Sequence, residues 1–209
     1  MTKEVPITAP VGSAPVVTAL RARGHGRVAV ELDGEPWRTV PLEAVYGAGL
    51  VVGGRIDRPT ARALGRELRR LGAQAVALRA LRARDHTAAS LDQRLAARGT
   101  STTVRRNTVE AAQRAGLVDD QRFATQRAEQ LAARGSGDLL ISEDLARQGV
   151  PAELARRAIE ALAPEAVRAD AIVEARGISP KTARYLVSRG FSEAALENII
   201  ANLVTEGLG

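Results

Sequence analysis

The sequence predicts a mainly α-helical protein in which three tandem three-helix repeats follow a small β-rich N-terminal module. Apolar residues make up 45% of the 209 residues but aromatic residues only 2%, so the core has to be built from Ala, Leu, Val and Ile. Ala, Leu and Arg, which are abundant here, favour helices. A five-residue pattern typical of helix ends also recurs in the last two-thirds of the chain.

The N-terminal part is expected to be a disordered tail followed by a small sheet. Residues 1–15 mix Pro, Gly, Ser and Thr without periodicity. The module that follows, 16–72, opens with two short runs rich in β-branched residues, 16–22 and 27–32. A third run comes after Asp33-Gly34, a pair that favours tight turns. We therefore expect three short antiparallel strands.

Two helices are expected to complete this module. Residues 41–50 predict a short helix that ends at Gly47 or Gly49. Asp57 is suited to cap a second helix, because its carboxylate can accept from the free N–H groups of the first turn. This second helix is expected to end at Gly72.

From residue 73 onward the strand pattern is absent and an L-x-x-[R/Q]-G pattern recurs. In each copy a Leu lies four residues before a Gly that suits the left-handed conformation at a helix end. The three copies that we interpret as marks of the repeats are Leu95–Gly99, Leu145–Gly149 and Leu186–Gly190. The helices that carry them start at polar N-terminal signals, which are Thr87, Ser136-Gly137-Asp138 and Ser179-Pro180.

These marks divide the chain into three predicted repeats, 73–118, 119–164 and 165–209, with Gly-to-Gly spacings of 50 and 41 residues. A helix with apolar positions follows each Gly, and these positions are Val104, Val109, Leu154, Ile159, Leu196 and Ile200. One such unit is too small to bury its own apolar face, so we expect the units to stack into an elongated array with an extended binding face. An ordinary helical bundle with a coincidental pattern is the alternative.

The charge is distributed unevenly along the chain. The net charge is +6, and every cation except Lys3 and Lys181 is an arginine. Residues 1–118 carry 19 basic and 10 acidic side chains, whereas residues 119–209 carry 11 and 14. This asymmetry predicts a polyanionic or acidic partner for the basic part. A solvated surface with uneven arginine usage is the alternative.

Residues of the kinds that catalysis requires are sparse. The chain has no cysteine, and neither His25 nor His86 has a partner at metal-ligand spacing, so we interpret both as turn or cap residues. The carboxylate pair Asp119-Asp120 directly precedes a helix, where it suits the N-cap and first turn. We therefore predict no catalytic residue, no metal, no cofactor and no enzyme activity. An enzyme with a carboxylate site is the alternative.

The sequence also lacks an apolar run long enough to span a membrane and a charged-then-apolar N-terminal leader. We therefore expect a cytoplasmic protein that makes no membrane contact.

Residues 77–99, 115–124 and 133–150 carry a longer set of motifs. They follow A-L-x-x-L-x-x-R-x-H-[ST], then G-L-[LVI]-[DN]-D-x-x-[FY]-A, then a central Gly and a closing Gly. This order and spacing resembles the RecX family of bacterial recombination regulators, strongly over 73–209 and loosely over 16–72. The residues on the pattern are Leu78, Leu81, Arg84, His86, Thr87, Leu91, Leu95, Gly99, Asp119, Asp120, Phe123, Ala124, Gly137, Ile141, Leu145 and Gly149. The last copy, which ends at Gly190, also fits.

The resemblance implies a protein that binds the RecA recombinase and its nucleoprotein filament. Proteins of this family usually limit the filament extension, strand exchange, ATP hydrolysis and coprotease function of RecA, which links them to homologous recombination, DNA repair and the SOS response. We expect a monomer that contacts single- and double-stranded DNA through phosphates. The candidate contact residues for RecA or DNA are Arg79, Arg82, Arg94, Arg98, Arg105 and Arg106. A stand-alone DNA-binding helical protein is the alternative.

The sequence departs from the family pattern at two places. Ser90 stands where the family often has Glu. Asp138, Leu139 and Leu140 stand where it often has Pro followed by two basic residues. The loss of two cations predicts a weaker DNA contact by the second repeat and an exposed apolar contact in its place.

Overall fold

The structure, a computed structural model, describes residues 14–197. Most of the predicted tail, 1–15, lies outside the described residues, and so does Ile200 of the third repeat. The chain divides into two compact units, one up to Val76 and one from Ala77 onward.

A three-stranded antiparallel sheet forms the start of the first unit, with the strand order β1-β2-β3. The strands are β1 (Val17–Arg23), β2 (Arg27–Leu32) and β3 (Glu35–Pro41). Asp33 and Gly34 both have positive φ, at 50° and 87°, as the tight turn between β2 and β3 requires. The three predicted strands are therefore confirmed.

Valines on one face of this sheet pack into the core of the first unit. Val28 lies opposite Val40 in the register of β2 and β3, and both are buried. The short helix α1 (Leu42–Gly47) contributes Ala44 and Val45 to the same core. Ahead of β1, the carbonyl of Pro15 accepts a hydrogen bond from the Ile56 N–H at 2.8 Å.

The prediction that the next helix ends at Gly72 is wrong, because α2 runs from Arg58 to Ala83. Its start is as expected, since Asp57 accepts a hydrogen bond from the Thr60 N–H at 2.9 Å. One glycine inside a helix costs only about 1 kcal/mol relative to alanine. The residues after Gly72 are mostly strong helix formers, and three of them, Ala73, Ala77 and Ala80, are buried. Their burial and helical hydrogen bonding outweigh the cost of one glycine.

The described part of the chain after α2 is helical and arranged in groups of three. The second group is α5 to α7, and the third is α8, α9 and a helix that begins at residue 193. The bounds are α3 (Ala88–Ala96), α4 (Thr102–Arg114), α5 (Asp120–Ala133), α6 (Asp138–Arg147), α7 (Ala152–Glu160), α8 (Glu165–Arg176) and α9 (Pro180–Ser188). The predicted fold class, mainly α with three-helix repeats after a small β-rich module, is confirmed.

The L-x-x-[R/Q]-G pattern ends α3, α6 and α9 with the same geometry. Its glycines, Gly99, Gly149 and Gly190, have φ of 73°, 76° and 80°. The residue after each glycine donates its N–H to the carbonyl of the pattern's buried leucine, at 3.0 to 3.2 Å. Leu131–Gly135 closes α5 in the same way, so within the helical part of the chain the pattern marks a helix end and not a repeat by itself.

Candidate functional site

The start of α3 is joined to the second three-helix group by two side chains. Thr87 caps α3 by accepting from the Ser90 N–H at 3.0 Å, and its own hydroxyl donates to the Gln148 carbonyl at 2.5 Å. The Asp120 carboxylate, at the start of α5, accepts from the Ala88 N–H at 2.8 Å. The N-terminal end of α3 is thus satisfied by residues that come 32 and 61 positions later.

The start of α6 is joined to the third group by the same arrangement. The Gly137 N–H donates to the Arg189 carbonyl at 2.8 Å. The Glu165 carboxylate, at the start of α8, accepts from the Asp138 N–H at 2.7 Å. In both places, two acceptors from the next group bind the start of an earlier helix. One is the carbonyl of the residue before a left-handed glycine, and the other is a carboxylate from the first helix of that next group. We call these two sites the first and second junctions.

Glycine is required at both junctions for space as well as for backbone conformation. A Cβ on Gly149 would lie 2.5 Å from the Ala89 Cβ, and a Cβ on Gly190 would lie 2.7 Å from the Leu140 Cγ. A Cβ on Gly99, by contrast, would meet no atom within 4 Å among residues 14–197, its two chain neighbours aside. Gly149 and Gly190 are therefore contact positions, whereas Gly99 only ends a helix.

The carboxylate pair has two different structural roles. Asp119 is the N-cap of α5 and accepts from the Arg122 N–H at 2.9 Å. Asp120 lies in the first turn of α5, as the sequence predicts. Its carboxylate also accepts a hydrogen bond from the start of α3 across the first junction. Within residues 14–197, no three His, Asp or Glu side chains are placed to hold a metal ion.

His86, interpreted from sequence as a turn or cap residue, is only 4% exposed beside the first junction. Its Nδ1 lies 3.0 Å from the Ser90 hydroxyl. Burial lowers the pKa of His86, and the positive charges of Arg84 and Arg94 lower it further. Ser90, the departure from the family pattern, therefore contacts a neutral imidazole.

The candidate arginines of the first repeat differ in how they are engaged. Arg105 is half-buried and donates to Asp92 at 2.9 Å and to the Thr100 carbonyl at 3.3 Å. Part of its charge is therefore already paired, and its contact with RecA or DNA stays a prediction. Arg106 is exposed and lies 3.8 Å from Glu110. The other four are exposed and form no ion pair with any residue in 14–197, and they are Arg79, Arg82, Arg94 and Arg98.

Many arginines of the later repeats are held by intramolecular partners. Arg127 binds Asp144 with two hydrogen bonds, at 2.7 and 3.0 Å. Arg168 binds Asp138 and the Ser136 carbonyl. Arg189 donates to the Gly135 carbonyl at 3.1 Å. The four unpaired arginines described above lie in the first repeat, on α2, α3 and the turn after α3. The later repeats also carry exposed cations without an ion pair in residues 14–197, among them Arg134 and Arg184.

The replaced basic positions adopt three different environments. Asp138 pairs with Arg168, although burial raises the pKa of this carboxyl against that favourable charge. Leu140 covers Gly190. Leu139 is 61% exposed and is the exposed apolar residue that the departure from the family pattern predicts.

A groove of about 240 Å³ lies beside the first junction, and we call it the Phe123 groove. It is lined by Arg84, Asp85, Phe123, Gln126, Arg127, Gln130 and Gln148. Arg84 and Phe123 belong to the family pattern, but the glutamines were missed from sequence. Spacing could have indicated two of them, because residues 123, 126, 127 and 130 lie on one face of a helix.

None of the helices in the described residues is both long and apolar enough to cross a membrane.

Comparison with known proteins relates this chain to one family. A family model described as "RecX, second three-helix domain" matches residues 119–159, which correspond to α5 to α7. The Regulatory protein RecX of Chromohalobacter salexigens is 34% identical over 135 residues, which are 60% of this chain and 89% of that protein.

Two crystal structures share the fold at lower identity. One, of a regulatory protein RecX, has a TM-score of 0.74 at 18% identity and covers 90% of this chain and 99% of that one. The other, of RecX from Lactobacillus salivarius, has a TM-score of 0.57 at 15% identity and covers 66% and 97%. The repeats, the junction between the first two and the sequence relationship lead to the same conclusion: this chain belongs to the RecX family of regulatory proteins.

Proposed function

We propose that this protein binds RecA and RecA–DNA filaments and limits the recombinase, ATPase and coprotease activities of RecA. Membership of the RecX family supports a regulatory role. The observation that carries the DNA part of the proposal is the set of exposed, unpaired arginines on the first repeat, Arg79, Arg82, Arg94 and Arg98. Arginines of this kind bind phosphates and release counterions.

The charge distribution supports different binding partners for the first repeat and the later repeats. In the proposed complex, the first repeat contacts DNA phosphates of the nucleoprotein filament. The later repeats, where several arginines pair with carboxylates or donate to backbone carbonyls of the same chain, contact RecA. Leu139, exposed on the second repeat, is suited to such a protein contact because covering an apolar side chain with a partner lowers the free energy of the complex.

The test is ATP hydrolysis by the cognate RecA on single-stranded DNA, with and without this protein. We expect sub-stoichiometric amounts to slow hydrolysis, and we expect the protein to co-sediment with RecA filaments. Unchanged hydrolysis together with no co-sedimentation would contradict the proposal.

The second candidate is a stand-alone DNA-binding protein that acts without RecA. The exposed arginines favour this candidate because they can bind DNA phosphates without any contact with RecA. Binding that depends on phosphates alone weakens steeply as salt increases, whereas contact with RecA through apolar and neutral groups persists. Co-sedimentation with filaments over a salt series therefore separates the two candidates.

We further propose that the protein is a cytoplasmic monomer without enzyme activity, cofactor or membrane contact. We also propose that the repeats occupy about 73–118, 119–164 and 165–209, with the first repeat taking its first helix from the C-terminal half of α2. Size-exclusion chromatography with light scattering tests the monomer, and limited proteolysis tests the repeat bounds.

A further inference from the structure

We propose that the Phe123 groove receives one unpaired base of a single-stranded DNA whose phosphates lie on the arginines of the first repeat. This inference rests on the DNA contact proposed above and adds the part of the nucleic acid that is recognised.

The lining of the groove matches a flat, neutral ligand with both donors and acceptors. Phe123 offers an aromatic side chain, and Gln126, Gln130 and Gln148 offer amides that both donate and accept. Asp85 adds an acceptor and disfavours a phosphate or carboxylate inside the groove. Nucleobases stack on aromatic side chains and guanidinium planes, and their edges bond to amides and carboxylates.

Two arginines line the groove, and one of them is held in place by hydrogen bonds. Arg127 is fixed by its two hydrogen bonds to Asp144, so little side-chain freedom is lost when a base packs on it. Arg84 also lines the groove and lies two residues after Arg82 of the candidate contacts. Arg84 and Arg94 both lie close enough to His86 to affect its ionisation.

The size of the groove favours single strands over duplex. A space of about 240 Å³ between side chains holds one base but not a stacked base pair. Sequence-tolerant proteins that bind single strands combine a basic surface with an aromatic side chain in this way. The competing occupant, a peptide segment of RecA, also carries amides, and the test below includes it as an outcome.

The experiment uses the full-length protein without RecA and three DNA probes of equal length. These are a thymidine oligonucleotide, the same oligonucleotide with abasic sites at its central positions, and a duplex. We expect the abasic probe to bind at least about 5-fold more weakly than the thymidine probe, since stacking of one base contributes about 1–3 kcal/mol. The two probes should show equal salt slopes, because their phosphates are the same. Equal affinity for both single strands would overturn the proposal.

Variants of α5 assign the effect to the groove. Gln126→Ala/Gln130→Ala removes two exposed amides from a helix without loss of helix propensity, and it should reduce the difference between the two single-stranded probes. Phe123→Leu keeps an apolar side chain in the core contact and should reduce the same difference. Gln121→Ala, on α5 but outside the groove, is the matched control and should leave the difference unchanged.

The outcomes separate this inference from the proposed function. If the base-dependent difference is present but RecA hydrolysis is unaffected, the groove is supported and the RecA proposal fails. If Gln126→Ala/Gln130→Ala weakens co-sedimentation with RecA but leaves the difference between the two probes intact, the groove binds protein and the inference is overturned.

Discussion

The surroundings of His86 favour its neutral form on balance, although the negative charge of Asp85 acts in the opposite direction. The side chain is buried, it contacts the Ser90 hydroxyl, and Arg84 and Arg94 add positive charge nearby. The contact with the Ser90 hydroxyl needs only one ring nitrogen, and burial and the nearby positive charges both favour a ring without a second proton. Protonation of the imidazole therefore opposes the folded first repeat.

We predict that acid weakens the folded protein through His86. Because the folded pKa is below the ordinary value, the unfolded chain binds the proton more tightly, so stability is complete above about pH 6.5 and is lost as the pH falls toward the folded pKa. Urea unfolding at about pH 7 and about pH 5 measures this loss. The loss should be smaller in His86→Gln, and an equal loss in both proteins would contradict the assignment.

The glycines at helix ends allow a matched comparison of space and backbone conformation. Gly99→Ala should cost about 1–2 kcal/mol, because only the left-handed backbone is strained there. Gly149→Ala should cost roughly 1–3 kcal/mol more, because its Cβ would also collide with Ala89. Equal shifts in the free energy of unfolding would show that the Gly149–Ala89 contact yields without strain.

Helices α3 and α5 are connected more closely than their separation in sequence suggests. Asp119 and Asp120 are adjacent, yet one caps α5 and the other serves α3. Two neighbouring carboxylates therefore control the ends of two different helices.

Hydrogen exchange can separate these two roles. Asp119→Ala should cost roughly 0.5–2 kcal/mol and speed amide exchange in the first turn of α5. Asp120→Ala should speed exchange at Ala88 and its neighbours in α3 instead, because the acceptor of that N–H is lost. If both variants affected only α5, the first junction would make no contribution to stability.

How much of this structure can be predicted from sequence depends on how far apart the interacting residues lie along the chain. The ends of α3, α6 and α9 were predictable because a leucine and a glycine four positions later define them locally. The continuation of α2 was not, because the burial of Ala73, Ala77 and Ala80 depends on packing that a local pattern does not contain.

The candidate site was predictable in part for the same reason. Sequence identified the cations of the first repeat, but all of them looked alike. Only the fold shows that Arg105 is held by Asp92 while Arg82 and Arg94 are exposed. The Phe123 groove and the junctions were missed because their parts come from separate helices, up to 61 residues apart in the case of Thr87 and Gln148.

At the scale of the whole molecule, the distribution of ion pairs decides where charge is available to a partner. Several acidic residues of the later repeats pair with arginines, as in Arg156 with Glu153 and Glu160. The cations Arg82 and Arg94 of the first repeat have no such partner among residues 14–197.

We predict that Arg82→Ala/Arg94→Ala weakens DNA binding and reduces the slope of log affinity against log salt by about 2, because each lost phosphate contact reduces it by about 1. Arg156→Ala is the matched control and should leave the slope unchanged, since Arg156 is neutralised within its own helix. Binding isotherms over a salt series measure both. Equal slopes for the double variant and the control would contradict the assignment of DNA binding to the first repeat.

The two junctions determine the order in which the repeats can complete their folding during synthesis. In each of them, an earlier helix receives its acceptors from residues that are translated later: α3 from Asp120 and Gln148, and α6 from Glu165 and Arg189. While the chain emerges from the ribosome, the first and second repeats are therefore each completed only when the next one has been made. The array closes one repeat behind the nascent end, and a chain truncated within a repeat leaves the start of an earlier helix without its acceptors.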